Sequence, residues 1–116
     1  MLIVLDGERP PSWNKIYSAG HWSKRKKIVD PIHEAVWYAI PAGTRPFKRR
    51  VDITVRAYFR SKALDSDNIP AKLYIDGLRG RVIVDDDRRY VRAVTTQSMR
   101  DKQRPRVEIE ITETGE

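Results

Sequence analysis

The stretch LDSDNIPAKLYIDGL, residues 64–78, sets two carboxylates, Asp65 and Asp67, one residue apart, with Asn68, Lys72 and Asp76 following. A run of three more acids, Asp85-Asp86-Asp87, comes shortly after. Alternate residues of an extended segment share a face, so Asp65 and Asp67 can aim the same way. Carboxylates held close raise one another's pKa unless a cation sits between them. Hard oxygen ligands suit Mg²⁺ or Mn²⁺. An ion held this way lowers the pKa of a bound water and bridges a phosphate oxygen, the two demands of phosphodiester hydrolysis. A lysine beside it would stabilise the added transition-state charge. If the chain ends that carry the two clusters are neighbours, three or four carboxylates converge.

Plainer roles compete with this chemistry. Asp65 to Asn68 could serve as turn and N-cap residues ahead of a helix. Asp85 to Asp87 could form a hairpin turn of solvated acids. Asp76 reads as an exposed helix residue or a salt-bridge partner. His21 and His33 are isolated and not at ligand spacing, so neither marks a metal site. Spacing alone leaves these alternatives open.

The charge balance says what such a site would act on. The 116 residues carry 23 Lys+Arg against 16 Asp+Glu, a formal charge of +7, and the pI is about 9.9. A net positive field attracts polyanions, nucleic acid above all. The bases recur as Lys24-Arg25-Lys26-Lys27, Lys48-Arg49-Arg50, Arg88-Arg89 and the segment Arg100 to Arg106, between apolar-periodic segments. That is how basic loops around a folded core are distributed. Acids would hold a cation and bases the polyanion. The chain has no cysteine, which excludes disulfides and thiolate metal sites and fits a reducing cytoplasm. Leu2 to Leu5 is too short an apolar run for a signal peptide or a membrane span, so no membrane partner is expected.

The elements that must position these residues form one domain of about the usual size. Leu2 to Leu5 predicts a first strand, with a turn over Gly7 to Pro11. Residues 10–17, PPSWNKIY, read as a rigid polar and aromatic segment whose Pro-Pro forbids helix at its start. Residues 18–27 read as a basic loop turning helical after Ser23. Asp30-Pro31 is the expected helix start, and Ile28, Ile32, Ala35, Val36 and Ala39 recur at helical spacing until Pro41, Gly43 and Pro46. Trp37 is assigned to the core. Trp13 and Trp22 flank the basic loop, where they could stack on bases. Residues 51–60, VDITVRAYFR, alternate cleanly: Val51, Ile53, Val55, Ala57 and Phe59 face one way, Asp52, Thr54, Arg56, Tyr58 and Arg60 the other. A second helix is expected from Asn68 or Ile69 to about residue 79. A short strand over Arg81 to Val84 and strands over 90–96 and 107–112 complete the chain. The fold class is α+β, a mixed or antiparallel sheet with two helices packed on it.

With these residues in place the sequence resembles the RusA family of Holliday junction resolvases, small enzymes common in bacteria and their prophages. The family's N-terminal P-P-S-x-N-x-x-Y pattern is matched by Pro10, Pro11, Ser12, Asn14 and Tyr17. Its central D-x-D-N motif is matched by Asp65, Asp67 and Asn68, and a later Asp-x-Leu by Asp76 and Leu78. A pair of aspartates before the next strand is matched by two of Asp85 to Asp87. The resemblance covers nearly the whole chain. It implies a homodimer that binds four-way junction DNA and cuts two strands symmetrically with Mg²⁺ or Mn²⁺, in recombination and repair. It makes Asp65, Asp67 and Asp87 catalytic and metal-binding, with Asp86 a further metal ligand; the three-residue run leaves that register open by one. It makes Lys72 the catalytic lysine, one position later than the family spacing. The extra residue, near Pro70, would be absorbed before the helix begins. Junction contacts fall to Asn14, Lys15, Tyr17, Lys24, Arg25, Lys26, Lys27, Asn68, Arg88 and Arg89. A displaced Lys72 would instead give a non-catalytic junction-binding protein of the same fold. A third alternative is an unrelated α+β protein whose acids are turn residues.

Overall fold

The computed structural model describes residues 1–115. Four strands, β1 (Leu2–Asp6), β2 (Val51–Phe59), β3 (Val91–Arg100) and β4 (Arg106–Glu113), form one mixed sheet in the spatial order β1-β4-β2-β3. β4 runs antiparallel to both β1 and β2, and β2 runs parallel to β3. Alternation in β2 makes it the spine of the fold. Val51, Ile53, Val55, Ala57 and Phe59 are all sealed from solvent, and Ile109 and Ile111 of β4 join them. The opposite face carries an ionic lattice instead. Arg56 bridges Glu108 and Glu110, and Arg106 bridges Glu108 and Asp101.

The helices are α1 (Trp13–Ser18), α2 (Trp22–Ala39) and α3 (Ala71–Asp76). The α+β class and mixed sheet are as the sequence predicts, but there are three helices rather than two. Pro10-Pro11 forbids helix only up to itself. Ser12 then caps, its Oγ accepting the Lys15 N–H at 3.0 Å, and α1 follows at once.

α2 starts at Trp22, not at Asp30. His21 caps it through Nδ1, and Lys26 and Asp30 form an i,i+4 ion pair at 3.3 Å. Pro31 therefore lies inside the helix, where it deprives the Lys27 carbonyl of its usual donor. Burial of Ile32 and Val36 on the far side carries the helix through. Trp37 is 56% exposed rather than core. It sits one helical step of about 100° from buried Val36, with the Arg81 guanidinium 4.2 Å above its ring. Gly77, just after α3, permits a close approach to α2: a Cβ there would lie 2.9 Å from Val36 Cβ.

Residues 81–84 form no strand. Leu78 carbonyl accepts from Arg81, Val82 and Ile83, and Ile83 makes only isolated bridges. β3 extends to Arg100, beyond the expected Thr96. Among the described residues no helix is long and apolar enough to cross a membrane.

The parallel β2–β3 pair decides where the acids go. A parallel pair needs a long crossover, here residues 60–90, and both acidic clusters lie on it. Phe59 pairs with Arg100 at one end of the two strands, and Val51 with Val91 at the other. The crossover leaves at the first end and returns at the second, with α3 between.

Candidate functional site

The first cluster is a short 3₁₀ turn, Ser66–Asn68, between β2 and α3. Three tethers fix it. Ser98 Oγ of β3 donates to the Leu64 carbonyl just before the acids. Ile69, 2% exposed, plugs into the core just after them. Asn68 Oδ1 accepts the Trp13 N–H at 2.9 Å, across 55 residues of sequence. That N–H is one of the donors a helix N-terminus leaves unpaired, so Asn68 locks the start of α1 against the acid turn. Asn14, Asp65, Asp67 and Asn68 consequently line one cavity of about 350 Å³ with Trp13.

Asp65 occupies the N-cap position of the turn but makes no side-chain cap bond. The plain capping role is therefore not what this residue does. Among the described residues neither the Asp65 nor the Asp67 carboxylate has an ion pair or side-chain hydrogen bond, and both are exposed.

The second cluster is fully engaged. Asp85 accepts the Asp86 N–H at 2.8 Å and pairs with Arg79 at 3.1 Å. Asp86 lies 3.7 Å from Lys72 and 3.9 Å from Arg79. Asp87 takes a two-pronged bond from the Arg89 guanidinium, at 3.1 and 2.8 Å, plus the Arg89 N–H. These bonds hold the Asp87 carboxyl below, and the Arg89 guanidinium above, their ordinary pKa values. Lys72 stands between Asp76, at 3.4 Å, and Asp86. With Ile75, Asp86, Val91 and Val94 it lines a separate cavity. α3 begins only at Ala71, after Ile69 and Pro70 in non-helical conformations. Ile69 and Pro70, around which the extra residue is expected, thus lie ahead of the first helical turn.

The clusters do not merge. Among the described residues no group of three or more His, Cys, Asp or Glu side chains is disposed to hold a metal ion. The convergence of three or four carboxylates expected from neighbouring chain ends is not formed, because the crossover separates those ends. Asp65 and Asp67 nevertheless suit Mg²⁺ by themselves, since that ion keeps several waters and commonly takes one or two protein carboxylates with substrate phosphate oxygens.

The expected junction-binding side chains are dispersed. Asn14 and Lys15 lie on exposed α1 beside the acid turn, and Tyr17 stacks on Trp13 with centroids 5.5 Å apart. Lys24, Arg25, Lys26 and Lys27 are exposed along the first turns of α2. Arg88 is exposed, while Arg89 is committed to Asp87. Asn68 spends its acceptor on Trp13. Trp22 is 67% exposed, whereas Trp13 packs partly against the core.

Sequence reasoning missed one ionisable pair next to this region. The buried Tyr74 hydroxyl of α3 donates to Glu8 at 2.9 Å. Burial pushes both the Glu8 carboxyl and the Tyr74 phenol up. Neither residue shows a partner in the linear pattern, 66 positions apart.

A family model described as Endodeoxyribonuclease RusA matches residues 13–112. No curated protein matches the chain.

Proposed function

The chain belongs to the RusA family of endodeoxyribonucleases, and from that premise we propose a divalent-metal-dependent endonuclease that resolves four-way DNA junctions by paired symmetric nicks, in recombination and repair. The observation that carries the reading is the pair Asp65 and Asp67, left without counterions on a rigidly tethered turn in a chain of net charge +7. These two carboxylates would hold Mg²⁺ or Mn²⁺, which supplies an acidified water and a bridge to a phosphate oxygen. Asn14 lies in the same cavity and offers an amide donor to a phosphate or sugar oxygen. Lys72 has the charge to stabilise the transition state. Its reach toward that charge depends on release from Asp76 and Asp86. Of the downstream acids we assign the functional role to Asp86 rather than Asp87, because Asp86 shares a cavity with Lys72 while Asp87 is bound by Arg89. The exposed bases of α1 and α2 would hold junction arms, with strongly salt-dependent affinity. A two-fold homodimer would match the two-fold symmetry of the junction.

A second reading is supported by the same Lys72 contacts: a junction-binding protein of this fold that does not cut. Thermal unfolding with Mn²⁺ bears on the metal step. Stabilisation of the wild type that is absent in Asp67→Asn supports the site. Equal shifts in both proteins would remove it.

A further inference from the structure

Resting on that endonuclease reading, we infer that Arg9 and Lys15 form a dedicated pocket for a DNA backbone phosphate, adjoining the acid turn on its basic side. Arg9, Pro10, Pro11, Ser12, Lys15 and Leu64 enclose a cavity of about 310 Å³. The carboxylate cavity is walled by the next residues of the same two segments, Trp13 and Asn14 from one, Asp65 onward from the other. The two cavities are therefore neighbours, separated only by the chain where Ser12 joins Trp13 and Leu64 joins Asp65.

Three features suit the pocket to an anion. First, its cations are not neutralised. Among the described residues neither Arg9 nor Lys15 has a carboxylate partner, while Arg56, Arg79, Arg89, Arg92, Arg104 and Arg106 all do. Second, Arg9 is oriented without losing charge. Its Nη2 donates to the Lys62 carbonyl at 3.4 Å, and its guanidinium lies 5.3 Å over the Phe59 ring. Third, the floor is rigid. Pro10 and Pro11 fix φ and bring no backbone N–H, so binding falls to side chains. The Ser12 Oγ already accepts from the Lys15 N–H, which leaves its own hydrogen free to donate. Arg9 also borders a further cavity lined by Arg60 and by Glu8, whose carboxylate accepts from Tyr74. A strand whose scissile phosphate lies at Asp65 and Asp67 would set the next phosphate between Arg9 and Lys15. The substrate chemistry is a diester phosphate one nucleotide step from the cut.

The test is equilibrium binding of a four-way junction in EDTA, comparing wild type with Arg9→Gln/Lys15→Gln. Single methylphosphonates are placed in turn at the phosphates flanking the cut. Both side chains are exposed, and unchanged melting temperature checks the fold. The expected result has two parts. The variant lowers the slope of log Kobs against log salt by about 1.8, the loss of one phosphate contact in each protomer of the dimer. The methylphosphonate next to the cut weakens wild type but not the variant. A slope that does not change, or an equal methylphosphonate penalty in both proteins, would overturn the pocket while leaving the endonuclease reading intact. No junction binding by wild type would overturn that reading, and the pocket with it.

Discussion

Two acidic clusters of similar composition flank α3 and are treated in opposite ways. Around Asp85 to Asp87 every carboxylate is answered: Arg79 for Asp85, Lys72 and Arg79 for Asp86, Arg89 for Asp87. That turn is built by its acids. Around Asp65 and Asp67 the turn is built by everything except its acids: a serine on β3, a buried isoleucine and an asparagine bonded across to α1. An aspartate that the fold does not use, on a backbone that the fold holds still, is available for a ligand. Pairing, rather than residue type or spacing, is what distinguishes the two clusters.

The sharpest way to break this contrast is to neutralise acids from both sides, one at a time. Asp67→Asn is expected to lower junction cleavage by about 10²–10³-fold, the loss of several kcal/mol of metal-borne stabilisation, with no loss of melting temperature. Asp87→Asn is expected to retain most activity, and Asp86→Asn to lose more than Asp87→Asn. Initial rates on a labelled junction measure all three. A ranking with Asp87 above Asp86 would put the functional register one residue later.

Next in size is the support of α3, the helix between the clusters. Tyr74→Phe removes the donor to half-buried Glu8 and leaves that carboxylate unsatisfied. The expected cost is about 1–3 kcal/mol in denaturant unfolding. Glu8→Gln keeps an acceptor for Tyr74 without a charge to desolvate. Because burial raises the Glu8 pKa, its ionisation works against the fold as pH rises through the raised value, and Glu8→Gln should remove that loss.

Asn68→Ala tests whether the acid turn is held from α1. It removes the acceptor of the Trp13 N–H and is expected to cost about 1 kcal/mol, as other N-cap losses do. Cleavage should fall as well, because Asn14 loses its fixed place beside the acids. An unchanged melting temperature would mean the tether is dispensable.

The smallest effect is the acid dependence of the second cluster. Arg89 lowers the Asp87 pKa from its ordinary 3.8. The stabilisation is therefore complete above that value and lost as pH falls through the lowered one. The small melting-temperature advantage of wild type over Asp87→Asn at pH 7 should vanish near the bottom of that range. The other paired acids are common to both proteins and cancel in the difference.

Much of this was legible from the chain. β2 and β4 declared themselves by alternation, and β1 by a short apolar run. The family motifs picked out Asp65, Asp67 and Asn68. What escaped has physical causes. The helical turn after Pro10-Pro11 was hidden because a proline limits only the residue before it and its own φ, not the residues that follow. The start of α2 was misplaced at Asp30-Pro31 because a strong local cap signature outweighed the exposed, mostly basic stretch ahead of it, which is helical from Trp22. Trp37 was assigned inward because it falls within an apolar-rich helix, although helical periodicity places it off the Ile32–Val36 stripe. The separation of the acid clusters depended on β2 and β3 being parallel, a long-range pairing that neither strand announces. Asn68 is the instructive case: its motif position marked it as functional, yet only the fold shows that its acceptor is taken by the backbone of Trp13.

The most direct measurement is cleavage of a labelled four-way junction, with linear duplex as control, by wild type and Asp67→Asn, each with Mg²⁺ and with EDTA. Paired symmetric nicks that require both Mg²⁺ and Asp67 are expected. Junction bound tightly by wild type but never nicked would contradict catalysis at the unpaired carboxylates and leave a binding protein whose Lys72 stays held between Asp76 and Asp86.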